Sequence, residues 1–202
     1  MNTITTTLTT EAVFSDDGLK RYLLKKTWNE AKPSLAIIML APSEASGIEL
    51  DTTTQLVLNN AARLGYGSVC VLNLFATLND FALKLAEPED EENLHIITEA
   101  SKKADTLVYA AGVGKAKSKV FQRRQEQVLK ALIPYEAKLQ CLCNADGKAR
   151  LQHPLSPAVR TWYLSPLKIS ELVSSAPEPK PEQKKKQKVK EKEAGNNGTA
   201  TK

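Results

Sequence analysis

Leu35-Ala36-Ile37-Ile38-Met39-Leu40-Ala41-Pro42-Ser43 decides how this chain folds. The run is apolar without polar alternation, the pattern of a strand buried on both faces. It is too short to span a membrane. Pro42 has no N–H and disfavours helix at Ala41, so the strand stops there. In open α/β sheets, ligands lie just beyond the carboxyl ends of such strands. The loop from Ala41 to Asp51 is therefore the first place to expect a site.

Three further runs repeat the theme. Ser68 to Leu74 is a second apolar strand, broken only by Asn73. Thr106 to Ala111 is a third and Lys138 to Cys143 a fourth. Helical patterns lie between them. Asp51 or a neighbouring threonine caps a helix running to about Leu64, with Val57, Ala61 and Leu64 on one face. Gly65-Tyr66-Gly67 ends it. A short helix is expected over Phe81 to Ala86. Pro88 opens a longer one through Lys103, with Glu89, Asp90, Glu91 and Glu92 in its first turn, where the helix dipole favours anions. Another, from about Lys117 to Leu132, buries Phe121, Val128, Leu129 and Leu132. Four strands alternating with helices predict a parallel sheet with right-handed crossovers.

Outside that alternation, Ala12 to Ser15 and Arg21 to Leu24 flank Asp16-Asp17-Gly18 and read as a β-hairpin. Residues 1–10 are expected to be a flexible N-terminus, and 11–173 a single α/β domain. From 174 to 202 the composition turns to Pro, Glu, Lys and Gln. That tail has too little apolar surface to order itself.

Of the net charge of +5 over 202 residues, +4 lies between Pro177 and Lys202. The folded part is nearly neutral, so attraction to nucleic acid is local or comes from the tail. Cys70, Cys141 and Cys143 sit in or at the end of apolar runs without a C-x-x-C pair. They read as free buried thiols in a reducing compartment. Two histidines and this cysteine spacing speak against a zinc site. Residues 1–11 have neither a basic region nor an apolar core segment, so a cytoplasmic protein without a signal peptide is expected. No cofactor is implied.

The loops expected at the carboxyl edge are 41–51, 73–80, 112–118 and 144–157. Asn73 either reads a donor–acceptor pattern on a base-like ligand or caps the following loop. His153, before Pro154, either donates to a developing anion or lies on the surface. Gly112-Val113-Gly114-Lys115 allows close backbone approach at a helix start, although the P-loop spacing is absent. Lys115, Lys117, Lys119, Arg123 and Arg124 then form either a solvated helix face or a contact for phosphates. Ser43 and His153 suggest a nucleophile and base for an acyl or phosphoryl hydrolase, but no G-x-S-x-G elbow exists.

An ordered set of short motifs runs through the chain. It comprises Ala12-Val13-Phe14-Ser15, Asp17-Gly18, Arg21-Tyr22, Met39-Leu40-Ala41-Pro42-Ser43, Asp51-Thr52-Thr53, Gly65-Tyr66-Gly67, Val71-Leu72-Asn73-Leu74-Phe75-Ala76, Glu92-Asn93 and His153-Pro154-Leu155. Over about residues 11–157 this set resembles the bacterial and phage family called domain of unknown function 1643. The layout is similar to that of the uracil-DNA glycosylase superfamily, which implies a three-layer α/β/α fold with a four-stranded parallel sheet. The resemblance implies that Ala41-Pro42-Ser43 stands where glycosylases position water, that Asn73 reads a flipped base, and that His153 stabilises charge on the departing base. Where the family usually has Asn, this chain has Ala41, whose methyl cannot orient water; Ser43 or Asp51 would have to substitute. Its usual tryptophan-glycine is Ala111-Gly112 here.

The expectation is a nucleotide-base or nucleic-acid binding protein with a weakened glycosylase-like site. His153, Ser43 and Asp51 would carry any catalysis. Pro42, Asn73, Phe75, Gly112, Lys115 and Lys117 would bind the ligand. The alternative is a protein-interaction module of a mobile element on the same fold.

Overall fold

A computed structural model describes residues 1–43, 47–78, 90–112 and 119–174. Seven strands form one mixed sheet: β1 (Thr9–Phe14), β2 (Arg21–Thr27), β3 (Ser34–Met39), β4 (Ser68–Asn73), β5 (Thr106–Tyr109), β6 (Leu139–Cys143) and β7 (Tyr163–Pro166). Their order is β1-β2-β4-β3-β5-β6-β7. The four helices among the described residues are α1 (Thr52–Arg63), α2 (Glu91–Lys103), α3 (Lys119–Leu132) and α4 (Ile169–Ser174).

The expected four-stranded parallel sheet is thus corrected to a seven-stranded mixed one. The inner strands β4, β3, β5 and β6 pair parallel. β2 adds to β4, β1 to β2 and β7 to β6, all antiparallel. The added strands follow from chain economy. A hairpin or a short return delivers an antiparallel neighbour, whereas a parallel one needs a crossover helix. The hairpin read from Ala12 to Leu24 forms, with strands that extend to Thr9 and Thr27: Gly18 takes a positive φ of 69°, and Asp17 Oδ1 accepts from the Ser15 hydroxyl and the Leu19 amide.

Every residue of β3 from Leu35 to Met39 is buried, as an uninterrupted apolar run requires. Alternate residues feed two cores. Ala36, Ile38, Leu72, Leu107 and Tyr109 meet Ile97 of α2 and Phe121, Val128 and Leu129 of α3 on one face. Leu35, Ile37, Met39, Val69 and Val71 meet Val57 and Ala61 of α1 on the other, with Trp162. Helices therefore cover both faces.

Asp51 caps α1, accepting from the Thr54 amide at 2.6 Å. Helix α2 starts at Glu91, with Asp90 as its cap, rather than at Pro88. Capping by a carboxylate satisfies free amides and complements the dipole, which explains the later start. The expected helix at Phe81 to Ala86 lies outside the described residues.

Candidate ligand-binding site

The connections locate the switch point of the sheet. From β3 the chain crosses by α1 to β4 on one side; from β5 it crosses by α3 to β6 on the other. α1 and α3 pack on opposite faces. The loops leaving β3 and β5 therefore part from each other at their carboxyl ends. Such a switch point is where open α/β sheets bind ligands.

Three polar groups gather at this edge. Arg21, buried at 1 % exposure, opens β2 and donates from Nη1 to the Ser43 carbonyl at 3.1 Å. Burial lowers the pKa of its guanidinium, and Asp51 opposes that shift. Burial pushes the Asp51 carboxyl up, but Ser43, Thr54 and Arg21 outweigh it and hold it below the ordinary aspartate value. Asp51 is therefore an anion at neutral pH. The Ser43 hydroxyl lies beside this carboxylate and helps to lower its pKa, yet makes no hydrogen bond of good geometry among the described residues, and its oxygen is buried.

Asn73 ends β4 opposite Met39. Its Nδ2 is buried and has no partner among the described residues. Its backbone is tied down instead: Asn93 Nδ2 donates to the Asn73 carbonyl at 3.1 Å and to the Leu74 carbonyl at 3.2 Å. At the end of β5 the Tyr109 hydroxyl is also buried, without a partner among the described residues, and burial pushes its pKa well above the ordinary value.

The third loop meets the fourth. Gly112 has φ of 74°, and a Cβ there would stand 3.5 Å from His153 Cβ. The Leu155 amide donates to His153 Nδ1 at 3.2 Å. An accepting Nδ1 carries no proton, so the neutral ring holds its proton on Nε2. Burial lowers the His153 pKa and favours that neutral ring. The side chain is thus set to donate from Nε2.

The structure therefore brings Ser43, Asp51 and Arg21 together, and Gly112 with His153. Pro42 is half-buried beside Ser43, while Phe75 is packed into the core. Lys115 and Lys117 lie outside the described residues. The basic cluster is corrected in part. Arg124 is buried, donating to the carbonyls of Leu74 at 2.7 Å and Asp90 at 3.3 Å, so it faces neither solvent nor phosphate. Arg21 was readable as part of a motif, but nothing in a hairpin strand signals an arginine folded inward. A groove of about 650 Å³ lies apart from this edge, between α2 and the faces of β1, β2 and β4; Val13, Leu23, Lys25, Cys70, Ile96 and Glu99 line it.

Fold and site together define an α/β protein with buried polar side chains at the switch point of its sheet. The family model for proteins of unknown function designated DUF1643 matches residues 21–155, and the chain belongs to that family. Comparison with curated proteins and with solved structures found no match.

Proposed function

We propose that the protein binds a nucleobase, in a nucleotide or in nucleic acid, at this edge, in a glycosylase-like arrangement weakened for hydrolysis. The observation that carries the reading is the Asn73 amide at the end of β4. A buried amide donor without a partner costs about 1–3 kcal/mol, and a base edge recovers that cost when it binds. His153, neutral and donating from Nε2, suits a base carbonyl or a charge developing on it. Parallel inner strands with loops converging on one edge support a layout like that of the uracil-DNA glycosylases. On sequence, Lys115 and Lys117 are the residues for phosphate.

Hydrolysis is the weaker part. Ala41 offers no polar group to water, and Asp51 is already engaged by Thr54 and Arg21. Ser43 is the remaining group expected to take that part, and its hydroxyl oxygen is buried. We expect base release from uracil-containing DNA to be slow or absent while binding persists.

Fluorescence anisotropy with single-stranded, duplex and uracil-containing DNA, at several salt concentrations, tests this. Asn73→Ala and His153→Ala should each weaken binding about tenfold, the scale of one lost buried hydrogen bond. Failure of the wild type to bind any of these probes sinks the reading. So does affinity that survives both substitutions. A co-purifying protein whose capture ignores both substitutions favours the interaction module instead.

A further inference from the structure

Strand β2 carries two buried cations, Arg21 at its start and Lys26 near its end, each 1 % exposed. Both donate to the loop that leaves β3. Arg21 Nη1 reaches the Ser43 carbonyl at 3.1 Å, and Lys26 Nζ reaches the Gly47 carbonyl at 2.5 Å. Lys26 also donates to Thr10 Oγ1 of β1 at 2.9 Å.

The chemistry of Lys26 is unusual for a strand position. A buried ammonium loses its hydration, and proteins normally offset that with an acid. Among the described residues its hydrogen-bond partners are neutral oxygens. Burial lowers its pKa, with no compensating charge beside it among the described residues. An apolar side chain of similar length would fill the same space at less cost. What the ammonium does that a methionine could not is hold the Gly47 carbonyl and the Thr10 hydroxyl, and of these two the carbonyl belongs to the loop after β3. The loop so held leads directly to Asp51, which caps α1, while Arg21 holds its other end at Ser43.

We propose that Lys26 is a positioning residue of the candidate site: with Arg21 it anchors the loop after β3 and so keeps Ser43 and Asp51 at the carboxyl edge. The anchoring stands on the contacts of Lys26 alone. Its consequence for ligand binding rests on the nucleobase reading above.

The test compares the wild type with Lys26→Met, which deletes the donor and keeps the length, and Lys26→Arg, which keeps a cation. Three readouts are taken: thermal melting, the rate of cleavage after the exposed Glu49 by a glutamate-specific protease, and anisotropy with uracil-containing single-stranded DNA. For Lys26→Met we expect an unchanged or higher melting temperature, cleavage after Glu49 faster by roughly tenfold through local opening, and weaker binding. Lys26→Arg should be cleaved at the wild-type rate. Unchanged cleavage in Lys26→Met overturns the proposal. So does a fall in melting temperature with cleavage accelerated at all sites, or failure of that variant to fold, because the ammonium is then structural. Lys26→Arg cleaved as fast as Lys26→Met also overturns it. A wild type that binds no DNA sinks the nucleobase reading only, and the cleavage arm still decides the anchoring.

Discussion

Single side chains at the carboxyl edge carry charges set by their surroundings. Asp51 is the clearest case, because its carboxylate both caps α1 and stands by Arg21. Its folded pKa lies below its unfolded one. The stability it contributes is present above about pH 4 and is lost as the pH falls through the folded value. Asp51→Ala should cost about 1 kcal/mol in urea unfolding at neutral pH, whereas Asp51→Asn, which still caps, should cost less. Acid titration should show a shallower loss in Asp51→Asn. His153 has the opposite chemistry. Its pKa is lowered by burial, so protonation is costlier in the folded protein, and stability falls as the pH drops below about 6.5. Nitrogen-detected NMR should show the Nε2–H tautomer near pH 7.5; an Nδ1–H signal would refute the donor geometry. Cys70 shows how a residue at a cavity can remain inert. Although part of it faces the groove beside α2, burial pushes its thiol up to about 12. Alkylation of native protein at pH 8 should leave Cys70 unreacted, since the thiolate is the nucleophile.

At the scale of elements, two junctions hold the edge in place. Arg124 of α3 reaches across to the carbonyls that follow β4 and precede α2, so one side chain joins three elements. Truncation removes a buried charged donor from both carbonyls, although Asn93 still serves that of Leu74. Arg124→Ala should cost about 3–5 kcal/mol, and Arg124→Lys should recover little of it, because a point charge cannot reproduce the guanidinium's several directed donors. Melting of both variants checks this. The second junction is the turn before β4. The Gly67 carbonyl accepts from the amides of Trp28 and Asn29, and a Cβ at Gly67 would fall 1.8 Å from the Asn29 carbonyl oxygen. That oxygen is backbone, so Gly67→Ala must displace the β2–β3 connection.

For the molecule as a whole, the family match ends at residue 155, but the core does not. Trp162 is fully buried against α1, and Asn60 of that helix accepts from the Trp162 amide at 2.9 Å and donates to the Arg160 carbonyl. Strand β7 then closes the β6 edge. A chain ending at residue 156 should fail to fold cooperatively, and Trp162→Ala in the full chain should lose about 3–5 kcal/mol. Circular dichroism melting distinguishes these from a C-terminal appendage, which would leave the transition unchanged.

The apolar runs at 35–41, 68–74, 106–111 and 138–143 by themselves determined the inner strands, because burial on both faces leaves no alternative to continuous hydrophobicity. Local chemistry likewise determined the Asp17-Gly18 turn and the Asp51 cap, since each is satisfied within a few residues. Only the tertiary structure decided the rest. Whether the sheet ends at four strands or seven depends on which edge groups find partners far away in the chain, as β7 and the hairpin do. Whether Arg124 is a surface charge or a buried clamp, and whether Arg21 and Lys26 face water or a loop, depends on carbonyls 21 to 50 residues distant that no local pattern encodes. Long-range hydrogen bonds to backbone are invisible in a sequence because every residue offers the same carbonyl, and only the fold selects which ones are left to be held.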